Sequence, residues 1–376
     1  MASPLQCSRS ARASITALRC LHTGRPLFAT PLPMTATGPP PSAPLPSASQ
    51  HGEKLDRRRR QAELLKHGQS LRASQDKPGN AMKKRFWKDV SVQTDEQGKH
   101  IVHLDTRPVK NPATKDPLAI PASKPHLATA VALEWDLLVS AQQALRSHLV
   151  PLTAMASRAQ ALEQEDHRSV NEEGFAAPGS RGSGIRYDIV NTLLRYLDTD
   201  TLLCWAPPST RAEGEVTDAQ GRALRDVQIA AAKPILSYLT QQLWPGVELV
   251  PALSDGSILP KSQPAATRAV VKGWMSGLPA WELVGLERAV LAGKSLCVGA
   301  RFIGEWGEAF RDMQVNGNGT SHRSGRFGIE EAAQVCSLEV NWQTGRWGEV
   351  EDSHDVDKED LRRQLGSVIL VVGGAQ

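Results

Sequence analysis

From residue 84 onward, the chain first shows the pattern of short β-strands. Apolar, β-branched residues recur at 90–92 and 101–104, and the polar stretch 95–98, which ends in glycine, is typical of a hairpin turn. Pro108, Pro112 and Pro117 follow. Because proline donates no backbone hydrogen bond, these residues keep the next segment out of a central strand. The pattern predicts a small antiparallel β-unit over 84–122.

Helical periodicity begins after residue 122. One apolar stripe is formed by Leu127, Val131, Trp135 and Leu138. Ser123 and Lys124 before Pro125 indicate an N-cap, so we predict a helix of about 18 residues, with Glu134 and Asp136 flanking the stripe. Further helical patterns cover 151–166, 186–198, 222–243, 264–277, 280–298 and 329–342.

The fold class predicted is α+β, with a small N-terminal antiparallel β-rich subdomain (84–122) followed by a larger, mainly helical subdomain (123–376). Glycine-rich polar stretches at 172–184, 213–221 and 314–328 indicate surface-loop insertions, which cost little entropy. The apolar end, 368–376, is expected to dock as a strand or tail.

Charge is distributed unevenly along the chain. Residues 1–52 contain no Asp or Glu and four arginines, and Ile15, Leu18 and Leu21 would share a helix face. This composition predicts a mitochondrial transit peptide and a Pro/Ser-rich leader over 1–52, before a polar basic linker at 53–83. The remaining body is mildly acidic, so charge gives no reason to expect nucleic-acid binding. No apolar run is long enough for a membrane span.

Two segments contain residues that could carry chemistry. Gly293-Lys294-Ser295 resembles part of a phosphate-binding loop, but Arg288 stands where that motif needs glycine, so Lys294 is interpreted as lying near a helix end. Potential metal ligands are densest at Glu349, Glu351, Asp352, His354, Asp355 and Asp357. They predict either a carboxylate/His metal site or an acidic surface at a helix N-terminus. The cysteines Cys204, Cys297 and Cys336 lie far apart and are interpreted as small buried side chains.

Several collinear segments carry a resemblance to a known family. They are 84–92 (KRFWKDVSV), 104–112 (LDTRPVKNP), 132–136 (ALEWD), 150–153 (VPLT), 197–205 (LDTDTLLCW), 281–287 (WELVGLE), 294–295 (KS) and 347–355 (WGEVEDSHD). Together they are similar to the mitochondrial ATP synthase assembly factor 2 family, the chaperones of the alpha subunit of the catalytic head. The loops at 172–184, 213–221 and 314–328 look longer than that family's usual connections.

The resemblance implies a mitochondrial matrix chaperone that has no enzymatic turnover, needs no cofactor and is monomeric when free. It would bind the unassembled alpha subunit and hand it to the beta subunit. Within the matched segments, Asp105, Arg107 and Trp135 are candidate structural residues. Candidate client-binding residues are Glu331, Glu339, Glu351, His354 and Asp355. Two alternatives stay open: a matrix enzyme with a metal site near 349–357, and a scaffolding protein for another matrix complex.

Overall fold

The computed structural model describes residues 60, 63, 84–172, 184–208, 217–218, 221–253, 257, 259–313, 326–350 and 353–375. The chain divides into two compact units, Met1–Gln61 and Ala62–Gln376, and every strand and helix named below belongs to the second unit. The predicted transit peptide and most of the three predicted loop insertions lie outside the described residues.

A four-stranded antiparallel sheet forms the front of this unit, as predicted. The strands are β1 (Val90–Thr94), β2 (His100–Leu104), β3 (Arg107–Pro108) and β4 (Ala119–Ile120). Strand β2 is central: β1 pairs along one side, and both β3 and β4 pair with the other side. The β1–β2 turn is stabilised by Asp95, whose carboxylate accepts the N–H groups of Gln97 and Lys99, while Gly98 takes a positive φ of 81°.

Helices follow the sheet, which confirms the α+β class. They are α1 (Pro125–Leu137), α2 (Pro151–Glu172), α3 (Ile185–Asp198), α4 (Leu224–Tyr238), α5 (Ala265–Ser276), α6 (Ala280–Gly293), α7 (Leu296–Trp306), α8 (Ile329–Cys336), α9 (Leu338–Trp347) and α10 (His354–Val372). One continuous buried core runs from Trp87 and Val102 in the β-unit to Val372 in α10. No described helix has the length and apolarity that crossing a membrane requires.

Helix α1 is shorter than predicted, because its backbone becomes extended at Leu138. The predicted stripe is correct, with Leu127, Val131 and Leu138 buried and Trp135 half-buried. The N-cap prediction was wrong: Lys124 occupies that position without a side-chain cap, and Ser123 Oγ instead donates to Glu308 Oε2 at 3.0 Å. The Ser123 hydroxyl therefore makes a tertiary hydrogen bond, and not the helix cap that the local sequence predicted.

Two predicted helices are each divided into two. The 280–298 segment breaks at Lys294, which adopts a left-handed conformation with φ 55°. The main-chain N–H of Lys294, and not its side chain, caps the end of α6 by donating to the Val290 carbonyl at 2.7 Å. The next helix, α7, is capped at its start by Ser295 Oγ. The 329–342 segment breaks at Ser337 between α8 and α9.

The C-terminal segment was expected to dock as a strand or tail, and the strand alternative was wrong. Helix α10 continues through it to Val372, with Leu365, Val368 and Val372 buried on one side. The helix crosses α6 at Gly285, where an added Cβ would lie only 2.1 Å from Val372 Cγ1. Burial against α6 therefore overrides the strand preference of this valine-rich segment.

Candidate functional site

Helix α9 faces solvent with both its apolar and its acidic side chains. None of its residues is fully buried, and Trp347 at its end is 67% exposed. Val340, seven residues earlier and so on the same side of the helix, is also exposed. Large apolar groups left in solvent mark interaction sites, and tryptophan is a frequent anchor in such contacts.

The connection from α9 to α10 continues this exposed surface. Gly348 turns the chain with a φ of 90°, and Val350 is 61% exposed. His354 Nδ1 accepts the N–H of Val350 at 3.1 Å, which holds the connection against the first turn of α10, where Val356 is also exposed. We call Val340, Trp347, Val350 and Val356 the apolar corner.

Three of the four candidate acidic residues lie at the starts of helices. Glu331 is exposed in the first turn of α8 and accepts the N–H of Gly328 at 2.9 Å, so it caps that helix. Glu339 is exposed in the first turn of α9, where its carboxylate accepts the side-chain amide of Gln343 at 3.2 Å. Asp355 is half-buried in the first turn of α10. Glu351 lies outside the described residues.

An open groove of about 640 Å³ lies between α8 and α10, next to Glu331. Arg362 crosses it and pairs with Glu330 and Glu359, each at 2.9 Å. Arg363, also in the lining, pairs with Asp360 at 2.6 Å. The lining carries three glutamates and two arginines, and Arg363 is already paired with Asp360, so the groove has a net negative charge that favours a basic partner.

Trp135 joins the β-unit to the helices. Its ring packs edge-on against Trp87, with centroids 5.5 Å apart, and its Nε1 donates to Thr153 Oγ1 at 3.1 Å. Trp87 is buried in the core. A half-buried indole with a satisfied N–H and an aromatic neighbour is placed to stabilise the fold.

Asp105 lies in the tight turn between β2 and β3, and Arg107 is the first residue of β3. Asp105 takes a left-handed φ of 54°, and its carboxylate accepts the N–H groups of Lys88 and Asp89 at 3.0 and 2.9 Å. These two hydrogen bonds lower the pKa of Asp105, that from Asp89 most. Arg107 pairs through its backbone with Leu104, and its side chain is exposed.

Lys124 was not recognised from sequence as a functional or structural residue. It is only 4% exposed, and its Nζ donates to the carbonyls of Val372 and Gly373, each at 3.0 Å, and lies 3.2 Å from Glu308 Oε2. Burial lowers the pKa of Lys124, while the neighbouring carboxylates of Glu282 and Glu308 oppose that shift. The sequence does contain one indication that Lys124 is buried, since Lys124 lies three residues before Leu127 and so on the side of the apolar stripe.

The metal-site alternative finds no geometric support in the described part of the chain. Across those residues, no group of three or more His, Cys, Asp or Glu side chains is arranged to hold a metal ion. Glu349 instead contacts Lys358. Glu351 and Asp352, two of the suggested ligands, lie outside the described residues.

The three cysteines, which were expected to be small buried side chains, differ in burial: Cys297 is buried, whereas Cys204 and Cys336 are half-buried.

Comparison with known proteins gives consistent matches across the chain. A family model described as ATP12 chaperone protein matches residues 84–240. Protein atp12, mitochondrial, from Schizosaccharomyces pombe is 30% identical over 298 residues, which cover 79% of this chain and 84% of the relative. Protein ATP12, mitochondrial, from Saccharomyces cerevisiae is 30% identical over 282 residues, 75% of this chain and 81% of the relative.

A solved structure shows a similar fold. The crystal structure of a putative chaperone from Agrobacterium tumefaciens aligns with 80% of this chain and 92% of its own, at 20% sequence identity and a TM-score of 0.50. At this identity, the likeness concerns the arrangement of the elements alone.

Proposed function

We infer that this chain, which belongs to the ATP12 chaperone family and is mitochondrial, is a matrix chaperone for the assembly of ATP synthase. It binds the unassembled alpha subunit of the catalytic head and releases that subunit to the beta subunit. The observation that carries this proposal is the 30% identity to mitochondrial Atp12 over about four fifths of both chains.

Elementary energetics support this kind of action. An unassembled subunit exposes the surface that will later contact its neighbour, and such an apolar surface aggregates. A chaperone needs only to cover that surface reversibly, with a lower affinity than the final subunit contact, so that assembly displaces it by mass action. No step of this cycle requires the hydrolysis of a nucleotide.

The proposed client contact is the apolar corner together with the acidic residues that accompany it. Trp347 and Val350 supply large exposed apolar groups, Asp355 lies in the first turn of α10, and Glu339 precedes the exposed Val340 at the start of α9. Apolar contact supplies most of the affinity in such a surface, while charges at its rim orient the partner and raise the association rate. Arginine or lysine on the alpha subunit would complement these carboxylates.

Affinity capture from a mitochondrial matrix extract tests the proposal. With the full chain as bait, we expect recovery of unassembled alpha subunit, and release of that subunit when purified beta subunit is added. Assembled catalytic head is the matched control and should not be captured, because its alpha surface is already covered.

Other outcomes would contradict the proposal in different ways. Capture of another matrix complex in place of the alpha subunit would favour the scaffolding alternative. Stoichiometric bound metal, with an activity lost on chelation, would favour the metalloenzyme alternative. Absence of any alpha subunit under conditions where the bait is folded would refute the chaperone assignment.

A further inference from the structure

Among the described residues, no strand pairs with the outer edge of strand β1, whose backbone N–H and C=O groups there have no strand partner. We propose that Val90–Thr94 binds an extended segment of the client, which adds to the sheet as a fifth, antiparallel or parallel strand. This inference rests on the proposed function, since it gives the same client a second contact in addition to the apolar corner.

Two hydrogen bonds at the ends of β1 fix which of its backbone groups face outward. The Asp105 N–H donates to the Asp89 carbonyl at 2.9 Å, and the Asp95 N–H donates to the Lys99 carbonyl at 2.9 Å. In an antiparallel pair, every second residue directs its backbone N–H and C=O groups to the partner strand, and the residues between direct theirs to the opposite side. Odd-numbered residues of β1 therefore bond to β2, and Val90, Val92 and Thr94 direct their N–H and C=O groups to the open edge.

Nothing in β1 itself blocks addition of a strand. Its outer side pairs with no other strand among the described residues, and its register with β2 is regular from Val90 to Thr94. Natural edge strands are commonly protected by lysine, proline or a bulge, and the sequence VSVQT has none of these. An unprotected regular edge is a hazard unless a partner covers it.

The side chains beside the edge indicate the chemistry of the partner segment. Val90 and Val92 lie opposite Leu104 and Val102, which are buried in the core, and Val92 itself is 39% exposed. A new strand would extend this face, so its residues next to Val90 and Val92 should be apolar. Asp89 and Asp95 bound the edge at its two ends, so basic residues are favoured at the ends of the segment.

The same charges argue against a second copy of this chain as the occupant. An antiparallel pair of β1 strands with Val92 opposite Val92 would place Asp89 opposite Asp95 of the second copy. Like charges directly opposite in a sheet are destabilising. A client segment with basic ends avoids this repulsion.

Residue-resolved hydrogen exchange on the full chain, with and without purified alpha subunit, tests the strand addition. In the free protein, the amides of Ser91 and Gln93 should already be protected, and those of Val90, Val92 and Thr94 should exchange rapidly. Binding should protect the second set selectively. If the alpha subunit binds and these amides still exchange rapidly, the edge is not the contact and the inference is wrong, whereas the chaperone assignment stands.

A pair of substitutions at residue 92 tests the backbone contact directly. Val92→Pro removes an outward N–H that β2 does not use, while Val92→Ile keeps that N–H and an apolar, β-branched side chain. We expect the proline variant to bind alpha subunit about tenfold more weakly and the isoleucine variant to bind almost normally. Thermal melting of both variants verifies that each is folded.

Three results would overturn the inference. The first is equal binding by folded Val92→Pro, and the second is equal loss in both variants. The third is protection of the three amides at high concentration of the free chain that disappears on dilution, which would assign the edge to a second copy. Failure of the unmodified chain to bind alpha subunit would instead refute the proposed function.

Discussion

Glu134 caps the helix that contains Thr153 from a neighbouring helix. Its Oε2 accepts both the N–H and the hydroxyl of Thr153, each at 2.9 Å, and its Oε1 accepts the N–H of Leu152 at 2.7 Å. The carboxylate thereby satisfies two of the open N–H groups at the start of α2 and places negative charge at the positive end of the helix dipole. Helices α1 and α2 are held together by this contact.

Glu134→Gln should lower the free energy of unfolding by about 1–2 kcal/mol, because the amide offers one acceptor oxygen and no charge. Chemical denaturation of the two proteins measures the difference. Glu96→Gln, on the exposed hairpin turn, is the matched control and should change stability little. Equal effects of both substitutions would show that the cap is energetically unimportant.

Asp105 should make stability depend on acid pH. Its pKa is lowered in the folded state, chiefly by the N–H of Asp89, from an ordinary value of 3.8. The unfolded chain therefore takes up the proton first, and the stabilisation is present above pH 3.8 and is lost as pH falls through the lowered folded pKa. Compared with Asp105→Asn, which tolerates the positive φ, the natural protein should keep its advantage from neutral pH down to about pH 4 and lose it progressively as the pH falls further. A difference that stayed constant as the pH fell below 3.8 would contradict the assignment.

Lys124→Met should destabilise the fold by about 3–5 kcal/mol, because it leaves Glu308 without its buried partner and two helix-end carbonyls without a donor. The double variant with Glu308→Gln should be less destabilised than the sum of the single changes. Lys233→Met, at an exposed position of α4, provides the control. Strict additivity in this cycle would mean that the two charges act independently.

Trp135→Arg should damage the protein through folding, with a loss of about 3–5 kcal/mol, since the ring packs on Trp87 and bonds to Thr153. Trp347→Arg makes the same change at a largely exposed position and should change the free energy of unfolding by less than about 0.5 kcal/mol. Melting and alpha-subunit capture are measured on both. If Trp135→Arg melted normally and still lost binding, Trp135 would be an interface anchor.

Charge reversal should separate the client contact from helix capping. We expect Glu339→Lys or Asp355→Lys to weaken alpha-subunit capture about tenfold or more with little change in melting, while Glu331→Lys costs about 1 kcal/mol of stability through its lost cap. Glu351→Lys completes the set, and exposed Asp116→Lys is the control. If no reversal reduced capture without reducing stability, the acidic contact would lie elsewhere.

The local sequence pattern alone was sufficient to predict the β-unit over 84–122 and the mainly helical character of the rest of the chain. The β-branched runs on either side of 95–98 specified the β1–β2 hairpin, since a two-residue period and a turn ending at Gly98 admit few alternatives. The stripe from Leu127 to Leu138 likewise specified the buried side of α1. The collinear matched segments indicated the family without any knowledge of the fold.

The helix ends and the candidate surface were decided by tertiary structure. Lys294 ends α6 through a left-handed turn that periodicity does not encode, and the valines of α10 are helical because Gly285 lets that helix lie close to α6. Lys124 is buried because the last carbonyls of α10 meet its amine. Exposure of Trp347 likewise depends on how the other described elements pack around α9, a property of the folded chain that no local pattern contains.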